Sequence, residues 1–173
     1  MSLSILKENV NKKIKELQIL VLNNFNIKLN VNIEYTISGY RILGTFDYRY
    51  NSIALYPDLL EEFGDIYIED VVVHEYAHAV VFALYGNNCK PHGQEFKKIC
   101  KIFNITGKAT TNSFKNSNIL KIARDKKQKI KKRYEYKCDC GTHSFTQYAH
   151  NMVKNKGARY ICKSCKSLIF INS

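Results

Sequence analysis

The sequence predicts an α+β protein in which a larger N-terminal part is followed by a small C-terminal β module. Apolar residues at helical spacing flank a stretch in which apolar and polar residues alternate, and this order indicates a small antiparallel sheet packed on helices. Two close pairs of cysteines fall within the last 40 residues, a length that buries too little surface to fold without a staple. The predicted division is 1–114, a basic linker or helix at 115–133, and the small module at 134–173.

The first half of the N-terminal part predicts one helix, three strands and a short helical segment. Residues 4–25 have apolar side chains three or four positions apart, as on one face of a helix. Residues 31–37 alternate as in a strand, and 40–48 and 51–56 predict two further strands around a turn. The short helical segment is 58–63. The apolar face of the first helix consists of Leu6, Val10, Ile14, Leu17, Leu20 and Val21.

Residues 66–85 predict a central helix. The segment holds no proline or glycine, and most of its side chains are apolar, as expected of a buried helix. Glu69 and Asp70 lie near its start, where negative charge is favourable for the helix dipole. Gly86 predicts its end, and 93–104 predict a second, shorter helix with apolar residues at core spacing.

The pentapeptide His-Glu-Tyr-Ala-His at 74–78 indicates chemistry more strongly than any other pattern in the chain. On a helix, His74 and His78 lie on one face about 6 Å apart along the axis, which suits two imidazoles binding one tetrahedral zinc ion. Glu75 projects beside the metal and can take a proton from its bound water. The pattern therefore predicts hydrolysis by a metal-activated water, with Glu75 as the catalytic residue.

A catalytic zinc ion needs a third protein ligand and an open position for water. His92 lies 14 residues after His78, and a tight turn through 86–91 would bring it back over the central helix. Glu95 is the competing ligand, because two histidines and a glutamate also make catalytic zinc sites. We favour His92. The ligand types predict Zn²⁺, although Mn²⁺ or Co²⁺ can also occupy a three-histidine site.

The C-terminal cysteines predict a second zinc site, of structural type. The pair Cys138 and Cys140 precedes the pair Cys162 and Cys165, and two close pairs at this separation are typical of a zinc ribbon. The first pair has one intervening residue where two is usual, so a ligand set with His143 is the alternative. We favour the four cysteines.

The sequence contains no pattern that predicts export or membrane insertion. No stretch approaches the roughly 20 apolar residues of a membrane span, and the amphipathic N-terminus lacks the apolar core of a signal peptide. Cysteines of a protein that is not exported stay reduced, so their pairing favours metal over disulfides. The expected location is the cytoplasm, including the nucleoid.

The positive charge is confined to the C-terminal third. Residues 1–114 contain 12 Lys and Arg against 12 Asp and Glu, whereas 115–173 contain 15 against 3. Most of this excess falls in 121–133. Such a segment is either a solvated helix face or an electrostatic footprint for nucleic acid. The candidate nucleic-acid contacts are Lys126, Lys127, Lys131, Lys132 and Arg133.

The order of these motifs resembles the SprT-like family over nearly the whole chain. The matching elements are His74-Glu75-x-x-His78, Pro91-His92-Gly93-x-x-Phe96, the basic stretch, Tyr136-x-Cys138-x-Cys140 and Tyr160-x-Cys162-x-x-Cys165-x-x-Leu168. The resemblance implies a zincin-like, or minigluzincin-like, zinc metallopeptidase domain followed by a zinc ribbon. It implies a catalytic zinc bound by His74, His78 and His92, Glu75 as general base, and a structural zinc bound by Cys138, Cys140, Cys162 and Cys165.

Two functional hypotheses follow. The family's eukaryotic Spartan branch degrades proteins crosslinked to DNA and is switched on by DNA, so the resemblance implies a DNA-associated zinc peptidase with protein substrates and a role in crosslink repair. The second hypothesis is a nucleic-acid-binding zinc-ribbon adaptor without significant proteolysis. The ribbon and the charge fit both, but a purely structural metal site does not need the carboxylate of Glu75.

Overall fold

Helices and two small sheets make up the part of the chain that the computed structural model describes, residues 2–107, 113–129 and 132–171, without the side chains of 127–129. The helices are α1 (Leu3–Phe25), α2 (Pro57–Phe63), α3 (Asp65–Tyr67), α4 (Val73–Tyr85), α5 (Gln94–Ile102), α6 (Asn118–Lys129) and α7 (Gln147–Lys156). The strands are β1 (Asn32–Glu34), β2 (Gly44–Asp47), β3 (Ser52–Leu55), β4 (Arg133–Cys138), β5 (Gly141–Thr146), β6 (Tyr160–Ile161) and β7 (Leu168–Ile171). The predicted α+β class is confirmed.

The chain divides into two compact units, Met1–Ala123 and Arg124–Ser173. The first unit extends beyond residue 114, the predicted domain end, because Phe114 and Leu120 are buried in its core. Phe114 packs edge-on against the rings of Phe63 and Tyr67. The basic helix α6 starts in the first unit and ends in the second.

Helices α1 and α4 supply much of the core of the first unit. The buried residues of α1 recur every three or four positions, and those of α4 join the same apolar cluster. Leu20, which was predicted for the apolar face of α1, is 38% exposed instead, since it lies at the edge of the buried stripe. Among the described helices, none is long and apolar enough to cross a membrane. The buried stripe of α1 consists of Leu6, Val10, Ile14, Leu17 and Val21.

The sheet of the first unit is mixed. Its strand order is β1-β3-β2, with β2 antiparallel to β3 and β1 parallel to β3. The prediction of an antiparallel sheet is therefore wrong for β1. The physical reason is that residues 35–43 carry the chain past β3 to the far edge, so the hairpin that follows places β3 beside β1 in the same direction. This crossing leaves β2 at an edge of the sheet, packed on α4.

The predicted continuous helix at 66–85 contains a wide turn. Ile68–Val72 is π-helical and joins α3 to α4. The three consecutive residues Val71, Val72 and Val73 at the end of this turn are all buried. Helix α4 ends at Gly86, as predicted, where φ is 63° and the backbone N–H donates to Phe82 O over 2.8 Å.

The second unit contains a four-stranded sheet of order β5-β4-β7-β6 and the helix α7. All its strand pairs are antiparallel. Tyr136 of β4 is fully buried between the ring of Phe145, stacked at 4.3 Å, and His150 of α7, which it contacts through a 3.1 Å hydrogen bond. Helix α7 was not predicted from the sequence pattern; Thr146 caps it by accepting a hydrogen bond from Ala149 N.

Candidate metal centres

The imidazoles of His74, His78 and His92 converge on one point in the first unit. His74 and His78 are one turn apart on α4, and a turn closed by Gly93 N–H to Lys90 O returns the chain so that His92 faces them. Each of the three Nε2–Nε2 distances is 3.2 Å. Three ring nitrogens cannot all donate to one another, so their lone pairs repel at this spacing unless a cation lies between them.

The size of this triangle fits zinc. Ligand nitrogens of a tetrahedral zinc ion lie 2.0–2.1 Å from the metal and hence about 3.3–3.4 Å from each other. Among the described residues, no carboxylate joins the histidine cluster. The structure thus brings together His92 with the motif histidines and leaves Glu95, the alternative third ligand, outside the group.

Phe96 packs against all three histidines. Its ring is stacked on His78, with a centroid distance of 4.3 Å and an interplanar angle of 27°, and lies edge-on to His74 and His92 at 4.9 Å each. The ring is fully buried in the core. Because Phe96 belongs to α5 and the motif to α4, it fixes the position of α5, and of the turn that carries His92, relative to the two motif histidines.

The surroundings keep the two motif histidines neutral. Burial, followed by the neighbouring His92 ring, lowers the pKa of His74 to about 4. Burial, followed by the rings of His74 and His92, lowers the pKa of His78 to about 3. Neutral imidazole is the form that binds a metal ion, so at neutral pH these two side chains are ready to act as ligands.

Glu75 lies beside the histidines and is 9% exposed. Burial raises the pKa of its carboxyl to about 7, and a hydrogen bond from the backbone N–H of Phe46 opposes this shift. Its carboxylate is not part of the histidine cluster. A carboxyl with a pKa near neutrality, close to a metal site without binding the metal, has the properties of a general base or acid.

A cleft of about 560 Å³ opens over these residues. Its walls come from the start of β2, from the π-helical segment and from the residues that follow α5. This volume is within the range of ligand-binding clefts. The cleft residues besides the histidines and Glu75 include Arg41, Ile42, Gly44, Asp70 and Ile105.

Four cysteines form a second cluster, in the second unit. The sulfur atoms of Cys138, Cys140, Cys162 and Cys165 all lie within 4.8 Å of one another. Cys138 and Cys140 are 3.4 Å apart, and Cys140 and Cys162 are 3.6 Å apart. Sulfur ligands 2.3 Å from a tetrahedral zinc ion are about 3.8 Å apart. The cysteines are free, and their spacing suits a zinc ion better than a disulfide, which needs sulfurs about 2 Å apart.

Backbone amides favour the thiolate forms of Cys162 and Cys165, whereas hydrogen bonds with the neighbouring cysteines raise the pKa of Cys140. Hydrogen bonds from the backbone N–H groups of Cys165 and Ser164 lower the pKa of Cys162. The hydroxyl and backbone N–H of Ser167 lower the pKa of Cys165 to about 6. Thiolates that accept such hydrogen bonds are suited to bind zinc. His143 approaches Cys138, with Nε2 3.0 Å from Sγ, but is not a member of the four-residue group.

The candidate nucleic-acid contacts are placed only in part. Lys126 is exposed on α6, and Arg133 is exposed at the start of β4. The Nζ atom of Lys132 lies 5.3 Å from the centroid of the Tyr134 ring. Lys131 lies outside the described residues, and of Lys127 only the backbone position in α6 is described.

The fold and the two clusters define an α+β protein with two sites that are each suited to a metal ion such as zinc. The SprT-like family model matches residues 7–117. The chain belongs to the SprT-like family, as its motifs predicted.

Relatives from several bacteria are similar to this chain over most of its length. Protein SprT of Pasteurella multocida strain Pm70 is 30% identical over 163 residues, which cover 93% of this chain and 91% of the relative. Protein SprT of Vibrio atlanticus strain LGP32 is 29% identical, with 94% and 92% covered. Protein SprT of Shewanella oneidensis strain MR-1 is 32% identical, with 76% and 77% covered. No solved structure matches the chain significantly.

Several residues at the histidine site were not predicted for it. Phe96 was predicted only as a core residue, and its distance of four positions from His92 is the one signal that could have placed it under the cluster. Phe46 and Gly44 belong to a strand about 30 positions before Glu75. Their contact with the motif depends on the strand order β1-β3-β2, which the sequence pattern did not predict.

Proposed function

We propose that this protein is a zinc-dependent metallopeptidase with a zincin-like N-terminal domain. The observation that carries the proposal is the equilateral triangle of histidine Nε2 atoms, 3.2 Å on each side, next to a buried carboxyl that is not a ligand. Membership of the SprT-like family supports it. The second site, with four cysteines, would hold a structural zinc in the small β module.

The residues of the cleft have different roles in peptide hydrolysis. His74, His78 and His92 would hold a zinc ion, which would supply Lewis-acid chemistry that activates water and polarises a carbonyl oxygen. Glu75 accepts a proton from the attacking water and later returns it to the departing amine. In the metal-free protein, burial raises the pKa of this carboxyl, and the nearby backbone N–H of Phe46 opposes the shift.

We also propose that the substrates are proteins associated with DNA, including proteins crosslinked to it. The support is the charge distribution, which is balanced over 1–114 and strongly basic over 115–173. Tyr148 of α7 is 72% exposed and is available to stack on a base, whereas Tyr160 packs edge-on against Phe145. DNA held through phosphates by the basic third would raise the local concentration of its bound proteins.

The test is cleavage of a basic DNA-binding protein by the full chain, with and without DNA, analysed by gel and mass spectrometry. We expect wild-type protein to cleave it faster with DNA, and Glu75→Gln to reduce cleavage by at least about 100-fold while DNA binding persists. Glu95→Gln is the matched control and should retain cleavage, because that carboxyl is outside the histidine cluster.

A second candidate function is a nucleic-acid-binding adaptor. The four-cysteine cluster and the basic residues of the second unit support an adaptor as much as they support a DNA-associated peptidase. The same experiment discriminates between the two, since an adaptor would bind DNA and leave the substrate intact, and Glu75→Gln would behave like wild type.

A further inference from the structure

Contacts on both sides of Glu75 hold the segment around β2 against α4 and against α3, the short helix before it. At one end, the Tyr67 hydroxyl donates to Leu43 O over 2.6 Å and accepts from Tyr56 N over 2.7 Å, so the helical segment before α4 is bonded to residues flanking both strands of the hairpin. At the other end, the rings of Phe46 and Tyr48 pack against Phe82 of α4, at 6.1 and 5.1 Å.

Between these two attachments, the backbone of β2 lies against Glu75 itself. The backbone N–H of Phe46 lies near enough to the Glu75 carboxyl to lower its pKa, against the larger effect of burial. Gly44, two residues earlier, is so close that a Cβ atom there would stand 3.0 Å from Glu75 Cγ and 2.5 Å from Val71 Cγ1. The first distance requires the glutamate side chain to move by a few tenths of an ångström, and the second is a direct clash.

The glycine at 44 is required for space and not for its backbone conformation. Gly44 is not among the residues with positive φ, so any amino acid could adopt its backbone angles. Its partner in the sheet, Leu55, is an ordinary strand residue. The absence of a side chain at position 44 therefore matters only where β2 approaches α4. This close approach brings the Phe46 N–H near the Glu75 carboxylate.

We propose that Gly44 is a positioning residue for Glu75: by having no side chain, it lets β2 approach until the Phe46 N–H holds the carboxylate in its working position. This inference rests on the proposed peptidase function for its catalytic consequence. A catalytic group must be held within about 0.5 Å of its productive position. A shift of a few tenths of an ångström at Glu75 Cγ becomes larger at the carboxylate oxygens, and it would therefore lower the rate of cleavage although the carboxylate is still present.

The two contacts of a Cβ at position 44 can be separated by mutation. In Gly44→Ala, the added Cβ atom contacts both Val71 and Glu75. Gly44→Ala combined with Val71→Ala removes the Val71 Cγ1 atom and leaves only the contact with Glu75, while Val71→Ala alone is the matched reference. Thermal unfolding reports on packing in these variants, and cleavage kinetics report on the position of Glu75.

We expect Gly44→Ala to lose both stability and activity. In the double variant the melting temperature should return to that of Val71→Ala, but kcat should stay on the order of tenfold lower, with KM and zinc content unchanged. A double variant whose kcat recovers together with its melting temperature would show that Gly44 matters only for packing, and the proposal would be wrong.

A second readout does not depend on activity. Because the Phe46 N–H acts on the Glu75 carboxyl, we expect that carboxyl to slow the hydrogen exchange of the Phe46 amide in metal-free protein. The neighbouring Thr45 amide points towards β3, since amides alternate along a strand, and serves as the internal control. We expect exchange at Phe46, but not at Thr45, to be faster in the double variant than in Val71→Ala. Equal exchange at Phe46 would overturn the proposal.

The two proposals fail in different ways. If wild-type protein cleaved no substrate and Glu75→Gln matched it, the peptidase function would be wrong. The amide exchange of Phe46 would still decide whether Gly44 sets the position of the Glu75 carboxylate.

Discussion

The Nε2 atoms of His78 and His92 lie 3.2 Å apart, although 14 residues separate them in the chain. The contact depends on how α5 packs on α4, because Phe96 of α5 stacks on the His78 ring while the turn before α5 presents His92. The same short segment thus makes both a core contact and the contact between histidines, and the packing of Phe96 holds the three rings at this spacing.

Metal content should separate the two sites. We expect two zinc ions per wild-type chain, one of which is lost in His92→Ala and the other in Cys162→Ser, because each substitution removes one protein ligand from its site. Elemental analysis of the purified proteins measures this directly. Glu95→Gln should keep both ions. One zinc per wild-type chain, removed only by Cys162→Ser, would leave the histidine site without metal and favour the adaptor function.

The zinc affinity of the histidine site should depend on Phe96. Phe96→Leu keeps an apolar side chain but removes the three ring contacts, so we expect the affinity to fall on the order of tenfold. Competition with a chromogenic chelator measures the change. Phe103→Leu is the control, since Phe103 is also a core phenylalanine but packs near Tyr76. Equal affinities in the two variants would contradict a role for Phe96 beyond general packing.

Glu75 should destabilise the metal-free fold at high pH. Folding raises its pKa from 4.5 to about 7, so the fold favours the neutral carboxyl. The resulting penalty is absent below pH 4.5, grows as the pH rises to 7, and then stays constant at about 3 kcal/mol.

In metal-free protein, Glu75→Gln should therefore raise the free energy of unfolding by up to this amount at pH 8, and by almost nothing at pH 4.5. Urea unfolding at both pH values measures the difference. Glu8→Gln, at an exposed position of α1, controls for the loss of one negative charge. If Glu75→Gln raised the free energy of unfolding by the same amount at both pH values, the buried charge would not be the cause.

Two buried tyrosine hydroxyls should differ in their contribution to stability. Tyr67→Phe removes the group that bonds to both Leu43 O and Tyr56 N, leaving two backbone groups without partners, and should cost about 2 kcal/mol or more. The hydroxyl of Tyr35 is buried with no hydrogen-bond partner among the described residues, so Tyr35→Phe should cost nothing or stabilise the fold. Chemical unfolding of the two variants tests this, and equal losses would contradict it.

The basic segment should determine the salt dependence of DNA binding. Replacing Lys126, Lys127, Lys131 and Lys132 together by glutamine should flatten the log–log slope of affinity against salt by about 0.9 for each lost phosphate contact. Fluorescence anisotropy at several salt concentrations measures the slope. The control replaces four exposed lysines of the first unit, Lys12, Lys15, Lys97 and Lys98. If both sets changed the slope equally, the segment would be only a solvated helix face.

Local patterns predicted the helices more closely than the sheet. The apolar spacing in α1 and the glycine after α4 depend only on residues that are close together in the chain. The prediction of the first helix and the prediction that α4 ends at Gly86 are both confirmed. The direction of β1 was predicted wrongly, because strand pairing depends on the path of the loop at 35–43 and not on the alternation within the strands. The π-helical turn before His74 was missed because a pattern of apolar residues does not show a local change from α-helical to π-helical hydrogen bonding.

The sequence by itself determined the class of the fold, the family and the residue types of both candidate metal sites, because ligand spacing on a helix or a tight turn is a local property. Tertiary structure decided which distant groups meet those residues. It brought His92 rather than Glu95 to the motif histidines, placed Phe96 against all three rings, and laid Gly44 and Phe46 against Glu75. These contacts arise from the packing of α5 and β2 on α4, and packing between distant segments depends on the whole chain.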